Sequence, residues 1–97
     1  MLPRYGLSLP NRGVLFGATS VDELLEISEG AEASGAFDSI WVGDSLFIKP
    51  RLESLMLLSA IAGRTRRVRL GTCCLSTFTL RDPILLAFGL LAPPPTL

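Results

Sequence analysis

The segment FDSIWVGD, residues 37–44, decides how this chain folds. Ile40, Trp41 and Val42 form a short apolar run that ends in glycine and an acid, which is typical of a strand covered on both faces in a parallel sheet. Predicted helices precede and follow this strand. The sequence therefore predicts an α/β fold with the order β-α-β-α-β-α, in which parallel strands are joined by right-handed crossovers.

The segments on either side alternate between strand and helix signals. Ser20 and Gly35 are residue types that begin and end helices, and Asp82 with Pro83 gives the N-cap and first-turn proline of another helix. The full set of predicted elements is strands at residues 5–9, 37–43 and 68–75, and helices from Ser20 to Gly35, over residues 52–62 and from Pro83 onward.

The composition limits the chemistry that the chain can perform. Nine Lys and Arg residues balance nine Asp and Glu residues, and histidine is absent from the 97 residues. Zero net charge gives no reason to expect nucleic acid or an anionic membrane as a partner. The lack of histidine excludes His-dependent nucleophiles and His-containing metal sites.

Cysteine placement and hydropathy indicate the compartment. Cys73 and Cys74 are neighbours in the sequence, too close for ordinary disulfide geometry, so we expect reduced thiols, no metal site and a cytoplasmic protein. No apolar run reaches the roughly 20 residues of a membrane span.

Candidate site residues follow the predicted strands, where ligands bind in parallel α/β folds. Asp44 is either a capping or turn residue or a hydrogen-bond partner of a ligand. The small residues of the segment 71–77 either pack tightly within the sheet or let a flat ligand approach the backbone. The basic loop at residues 64–67 is interpreted as a solvated return, with a phosphate-binding patch as the alternative.

Four blocks of the sequence carry a resemblance to a known family. Residues 5–11, 32–44, 67–72 and 80–87 resemble, in order and spacing, the amino-terminal part of the luciferase-like monooxygenases, and most closely the branch that uses a deazaflavin coenzyme. The resemblance covers about residues 4–87. It implies a (β/α)8 TIM barrel that binds FMN or a deazaflavin coenzyme at the carboxyl ends of its strands and transfers a hydride or activates dioxygen on a small organic substrate.

The resemblance also implies roles for particular residues. The segment made of Thr72, Cys73, Cys74 and Leu75 would form a bulge, often with a non-proline cis peptide, against the coenzyme ring. Leu9, Pro10, Asn11 and Asp44 would line the substrate or ring pocket. Ser45 stands where some family members have histidine, which does not support proton transfer at that position, and no catalytic residue is assigned.

The end of the sequence departs from the family pattern. Residues 1–87 are predicted to be a partial barrel domain, whereas residues 88–97 form an apolar, proline-rich tail without charge. We therefore expect a truncated, amino-terminal part of a longer oxidoreductase that is inactive alone, whose full-length form binds substrate and coenzyme and can be a homodimer. The alternative is a noncatalytic α/β interaction module whose apolar tail docks on a partner.

Overall fold

The computed structural model describes residues 3–44, 51–75 and 81–90. They form β1 (Gly6–Leu9), α1 (Val21–Ser34), β2 (Ser39–Gly43), α2 (Ser54–Ala62), β3 (Arg69–Cys73) and α3 (Pro83–Leu90). The strands make one sheet in the order β1-β2-β3, and both pairings are parallel. The predicted element order and the parallel α/β class are confirmed.

Local signals set the ends of α1. Ser20 has extended backbone, and its hydroxyl oxygen accepts a hydrogen bond from the Glu23 N–H at 3.1 Å. Gly35 ends the helix with a φ of 73°, a left-handed conformation that glycine adopts without a steric cost. Both predicted caps are confirmed.

The helix α2 begins at Ser54, two residues later than the apolar pattern predicts. Glu53 is its N-cap, and the carboxylate accepts a hydrogen bond from the Met56 N–H at 2.7 Å. Leu52 is apolar but lies before the cap, because its backbone pairs with Asn11 instead of with the helix.

The helix α3 begins after Asp82, whose carboxylate oxygen accepts a hydrogen bond from the Ile84 N–H at 3.2 Å. It continues to Leu90, and residues 91–97 of the predicted tail lie outside the described residues. Ile84 and Leu85 are 81% and 70% exposed, so this helix packs little of its apolar surface. None of the described helices is long and apolar enough to cross a bilayer.

The core lies on one face of the sheet, between the strands and the first two helices. Its centre is Ile40 and Val42 of β2, both fully buried. The buried apolar set is Leu9, Leu24, Leu25, Ala31, Ile40, Val42, Leu57, Ile61 and Val68. Helices collect on one side because successive right-handed crossovers in the same direction place them there.

No described helix covers the other face of the sheet, which corrects the expectation that β2 is covered on both faces. Trp41 is 39% exposed. Strand side chains alternate, so the residues in register with Ser39, Trp41 and Gly43 share this face with them. We call this the open face; its residues are Gly6, Ser8, Ser39, Trp41, Gly43, Arg69, Gly71 and Cys73. An apolar run in the sequence does not show whether one face or both faces of the strand are covered.

Trp41 lies flat across the open face and needs glycine on both neighbouring strands. Its Nε1 donates a hydrogen bond to the Ser39 hydroxyl oxygen at 2.8 Å. A Cβ atom on Gly71 would lie 2.5 Å from the indole Cζ3, and a Cβ atom on Gly6 would lie 2.6 Å from Nε1. The two glycines therefore set the position of the indole.

The carboxylate of Glu32, in α1, anchors the return from α2 to β3. It accepts hydrogen bonds from the backbone N–H groups of Arg66, Arg67 and Val68 at 2.8 to 3.1 Å. The bond from Arg67, with those from Val68 and Arg66, holds the pKa of Glu32 below its usual value. Since this carboxylate occupies the loop amides, the interpretation of the loop as a structural return is favoured over a phosphate patch.

The Trp41 contact predicts a coupled pair of substitutions. Gly71→Ala is expected to lower the free energy of unfolding by about 1–3 kcal/mol, because the new methyl group overlaps the indole. In a Trp41→Ala background the same change is expected to cost less than about 0.5 kcal/mol, since the overlap is gone. Urea unfolding followed by circular dichroism measures both.

Gly30→Ala is the matched control, because a Cβ atom at this position in α1 meets no atom within 4 Å. We expect it to stabilise the chain by about 0.5–1 kcal/mol. An equal cost of Gly71→Ala with and without the indole would contradict the described position of Trp41.

Candidate functional site

The carboxyl ends of the three parallel strands lie along one border of the sheet, which we call the carboxyl edge. It consists of residues 10–12 after β1, Asp44 after β2 and residues 74–75 after β3. The structure thus brings all eight sequence-predicted site residues to the strand ends: Leu9, Pro10, Asn11, Asp44, Thr72, Cys73, Cys74 and Leu75. Ser45, where some family members have histidine, is outside the described residues.

Asn11 ties three segments of the carboxyl edge together. Its side chain is buried, and Nδ2 donates hydrogen bonds to the carbonyl oxygens of Gly43 at 2.8 Å and Leu52 at 3.0 Å. Oδ1 accepts from the Gly43 N–H at 3.1 Å, and the Asn11 carbonyl oxygen accepts from the Leu52 N–H at 3.0 Å. Both side-chain amide hydrogens of Asn11 are donated to backbone carbonyl oxygens, so this side chain holds the backbone of the carboxyl edge in place.

The other two predicted residues after β1 differ in exposure. Leu9 is buried in the core, in register with Val42, and faces the helices. Pro10 is exposed and begins the turn that carries Asn11. Their role in a pocket remains a prediction, and of the two only Pro10 offers surface to a ligand.

Asp44 lies in a buried ion pair that neither sequence interpretation contained. Its side chain is 1% exposed, and its carboxylate accepts two hydrogen bonds from Arg81, at 2.9 and 3.0 Å, and one from the Ser54 hydroxyl at 2.8 Å. Arg81 also donates to the Glu53 carboxylate at 2.8 Å. Asp44 therefore joins the end of β2 to the starts of α2 and α3.

The electrostatics of this cluster favour a structural role. The hydrogen bonds to Asp44, followed by those to Glu53, raise the pKa of Arg81 above its usual value. Arg81 therefore keeps the positive charge that arginine carries in proteins. Both Asp44 oxygens accept hydrogen bonds from this cation or from Ser54, so the carboxylate positions neighbouring segments and is not placed to exchange a proton with a ligand.

The segment after β3 turns sharply at Cys74, whose φ of 64° is rare for any residue but glycine. Such conformations cost about 1–3 kcal/mol and concentrate at functional sites. The family-based expectation of a cis peptide is wrong for the described residues, where the departure from regular strand is this left-handed turn. Cys73 and Cys74 are exposed free thiols; Cys73 lies on the open face, whereas Thr72 faces the helices.

Two arginines at this edge were missed by the sequence reasoning. The Nη1 atom of Arg51 lies where a Cβ atom on Gly43 would be, and the Arg12 guanidinium lies 5.5 Å from the centre of the Phe16 ring. Basic residues between 49 and 69 were interpreted as solvated. One feature of the sequence could have identified them: each arginine follows a predicted strand, and the carboxyl ends of parallel strands are where ligands bind.

A cavity of about 650 Å³ lies elsewhere, between α2 and α3. None of the sequence-predicted site residues lines it; its walls are Leu55, Met56, Leu58, Ser59, Ala62, Leu70, Arg81, Asp82, Leu85, Leu86, Gly89 and Leu90. We take the carboxyl edge as the candidate site, because ligands of parallel α/β folds bind there. Over the described ranges, no group of three or more Cys, Asp or Glu side chains is placed to hold a metal ion.

The buried ion pair predicts a large effect for a small change. Asp44→Asn is expected to lower the free energy of unfolding by about 3–5 kcal/mol, because it leaves the Arg81 cation only partly compensated. Glu29→Gln is the control, since its ion pair with Arg64 is about half exposed on both sides, and it is expected to cost less than about 1 kcal/mol. Urea unfolding measures both, and equal costs would contradict the account of Asp44.

Comparison with known proteins assigns this chain to a family. The family model described as luciferase-like monooxygenase matches residues 4–90, which include all three strands, all three helices and the carboxyl edge. Among curated proteins and solved structures nothing matches the chain. The family predicted from the four sequence blocks is confirmed, and the chain belongs to the luciferase-like monooxygenases.

Proposed function

We propose that this chain forms the first three strand-helix units of a (β/α)8 barrel in a flavin-type oxidoreductase, with the coenzyme ring at the carboxyl edge. Membership of the family supports an oxidoreductase-type function, and its members typically use flavin-type coenzymes. Three consecutive parallel strands with helices on one face are the pattern that such a barrel repeats. The open face then corresponds to the barrel interior.

The residues at the carboxyl edge fit a flat ring. On the open face near this edge the residues are small: Gly43, Gly71 and Cys73. The Trp41 indole covers Gly71 and the Arg51 guanidinium lies over Gly43, so of the three Cys73 is the position left open to a ring. Cys74 turns the backbone away from the regular strand directly beyond them. Thr72, Cys73, Cys74 and Leu75 would hold the ring against the end of β3. This small-residue end of the open face is the observation that carries the proposal.

The bound coenzyme would be FMN or a deazaflavin. Either would supply hydride transfer to or from a small organic substrate, and FMN could also activate dioxygen. The chain's own residues provide the frame for it. Asn11 fixes the end of β1 against the end of β2. Asp44 and Arg81 fix the start of α3, and thereby the far end of the segment that leaves Cys74. Of the four residues predicted to line the pocket, Pro10 would contact substrate and ring, and Leu9, Asn11 and Asp44 would support this wall from behind.

The proposal includes inactivity of these 97 residues by themselves. No described helix covers the open face and Trp41 is 39% exposed, so a ring bound there would have the described parts of the chain on one side only. Barrels of this class commonly build their phosphate site from later strands. Ring contacts alone are expected to give weak binding and no turnover.

The noncatalytic interaction module is the second candidate, and one observation favours it. Ile84, Leu85 and Leu90 on α3 are 81%, 70% and 63% exposed, a surface of the kind that marks interaction sites. A barrel helix flanked by only one neighbour exposes the same residues. Since the family match includes α3, we take the oxidoreductase as the better supported function.

Coenzyme titration tests the ring site. Trp41 is the single tryptophan and lies on the open face, so its emission reports on a ring bound there. We expect FMN or a deazaflavin to quench this emission, after correction for absorbance, with a Kd of about 0.1–1 mM. Cys73→Phe, which fills the open face at the carboxyl edge, is expected to weaken binding by about fivefold or more.

Arg69→Phe is the matched control, because Arg69 lies on the same strand and the same face as Cys73 but at the opposite end. Its effect on the Kd is expected to stay within about twofold, since roughly 13 Å of strand separates the two positions. Absence of quenching by both coenzymes up to the millimolar range would contradict the ring site and favour the module. Micromolar binding with substrate turnover would contradict the proposed inactivity.

A further inference from the structure

Two arginines at the carboxyl edge stand apart from the other basic residues. Arg12 and Arg51 are partly buried, and the Nε atom of each is shielded from solvent without a hydrogen-bond partner in the described parts of the chain. The remaining described arginines either pair with a carboxylate, as Arg64, Arg67 and Arg81 do, or are exposed, as Arg4, Arg66 and Arg69 are.

Arg51 lies over the end of β2 on the open face. Its Nη1 atom occupies the place of a Cβ atom on Gly43, and its Cζ atom is 2.7 Å from that place. The Asn11 Oδ1 atom is 3.4 Å from the same point. Cys73 is the register partner of Gly43, so the guanidinium group lies in the row of residues that includes the proposed ring site.

Arg12 belongs to the same corner of the molecule. It follows Asn11, whose backbone and side chain both pair with Leu52, the residue after Arg51. The two arginines therefore flank one stretch of paired backbone. The Arg12 guanidinium carbon lies 5.5 Å from the centre of the Phe16 ring, whose face attracts the cation. An aromatic ring is not a conventional hydrogen-bond acceptor, so this contact does not replace one.

The nearby acids are engaged elsewhere. Asp44 accepts hydrogen bonds from Arg81 and Ser54, and Glu53 accepts from Arg81 and the Met56 N–H. A shielded Nε–H without an acceptor is unfavourable, because this donor has lost water without gaining a partner. Two cations on adjoining segments of the carboxyl edge attract an anion, whose oxygens can accept N–H bonds from them.

We propose that Arg12 and Arg51 form a binding site for an oxyanion, the phosphate or carboxylate group of a ligand at the carboxyl edge. The inference goes beyond the proposed function and does not depend on it, since it rests on the shielded Nε–H groups of Arg12 and Arg51 and on the place of the Arg51 guanidinium over Gly43. In an oxidoreductase the site would hold the charged end of the substrate or coenzyme over Gly43 while the reacting part lies over Cys73.

Nuclear magnetic resonance of the full chain tests the site with three probes: inorganic phosphate, acetate and, at matched ionic strength, chloride. We expect the arginine Nε–H signals of Arg12 and Arg51, together with the Gly43 amide, to shift with an oxyanion and to stay in place with chloride. Signal shifts with phosphate alone, with acetate alone or with both would support the site and would show which oxyanion group, phosphate or carboxylate, it binds. Response to neither overturns it.

Substitutions test the assignment to these two residues. Arg51→Gln and Arg12→Gln are each expected to raise the Kd of the responding anion by about tenfold, the loss of hydrogen bonds to a charged group. Arg69→Gln is the matched control, an exposed arginine on the open face at the other end of β3, and is expected to change the Kd by less than about twofold. Equal weakening by all three would overturn the site in favour of net charge alone.

Gly43→Ala separates position from charge. Its methyl group takes the place of the Arg51 guanidinium, which is the flexible end of a side chain and can move without disturbing the fold. Anion affinity is expected to fall by about fivefold with all charges retained. Unchanged affinity in this variant, with amide spectra that show a folded chain, would overturn the placement of Arg51.

Discussion

The side-chain amide of Asn11 is the interaction on which the carboxyl edge depends. Parallel strands leave backbone N–H and C=O groups at their ends, and a buried group of this kind must find a partner. Asn11 supplies the partners for both polar groups of Gly43 and for the carbonyl oxygen of Leu52. One buried side chain thereby fixes the end of β1, the end of β2 and the approach to α2 relative to one another.

The other contacts of the carboxyl edge follow from the hydrogen bonds of Asn11 to Gly43. Asp44 follows Gly43, and its carboxylate binds Ser54 and Arg81, so the starts of α2 and α3 are held to the same point. The body of the sheet is stabilised differently, by apolar contacts of Ile40 and Val42 with the helices. Polar hydrogen bonds thus shape the edge that we propose as the ligand site, and they use groups that could otherwise have served as acids or bases. Among the described residues of this edge, Arg12 and Arg51 are the cations that we propose for a ligand.

Local signals in the sequence predicted the elements well, whereas long-range contacts were beyond it. The caps at Ser20 and Gly35 depend on residues within one helical turn, and both were predicted correctly. The open face was not, because the apolar run around Trp41 does not show how many layers cover a strand. The ion pair of Asp44 joins residues 37 positions apart, and nothing near Asp44 in the sequence indicates Arg81. The residues that the resemblance singled out do lie at the carboxyl edge, and their role there stays a prediction. The left-handed turn at Cys74 and the positions of the arginines depend on contacts that the sequence does not show.

Hydrogen exchange at the Gly43 and Leu52 amides tests the central role of Asn11 most directly. Asn11→Leu keeps the side-chain size and removes the amide. The account predicts that protection at these two amides falls by about tenfold to a hundredfold more than at the Ser28 amide of α1. The Gly43 N–H loses its acceptor, Asn11 Oδ1, and Leu52 loses the bond from Asn11 Nδ2 that holds its carbonyl oxygen; a lost buried hydrogen bond costs about 1–3 kcal/mol. A uniform fall at all three amides, or no fall at Gly43, would contradict it.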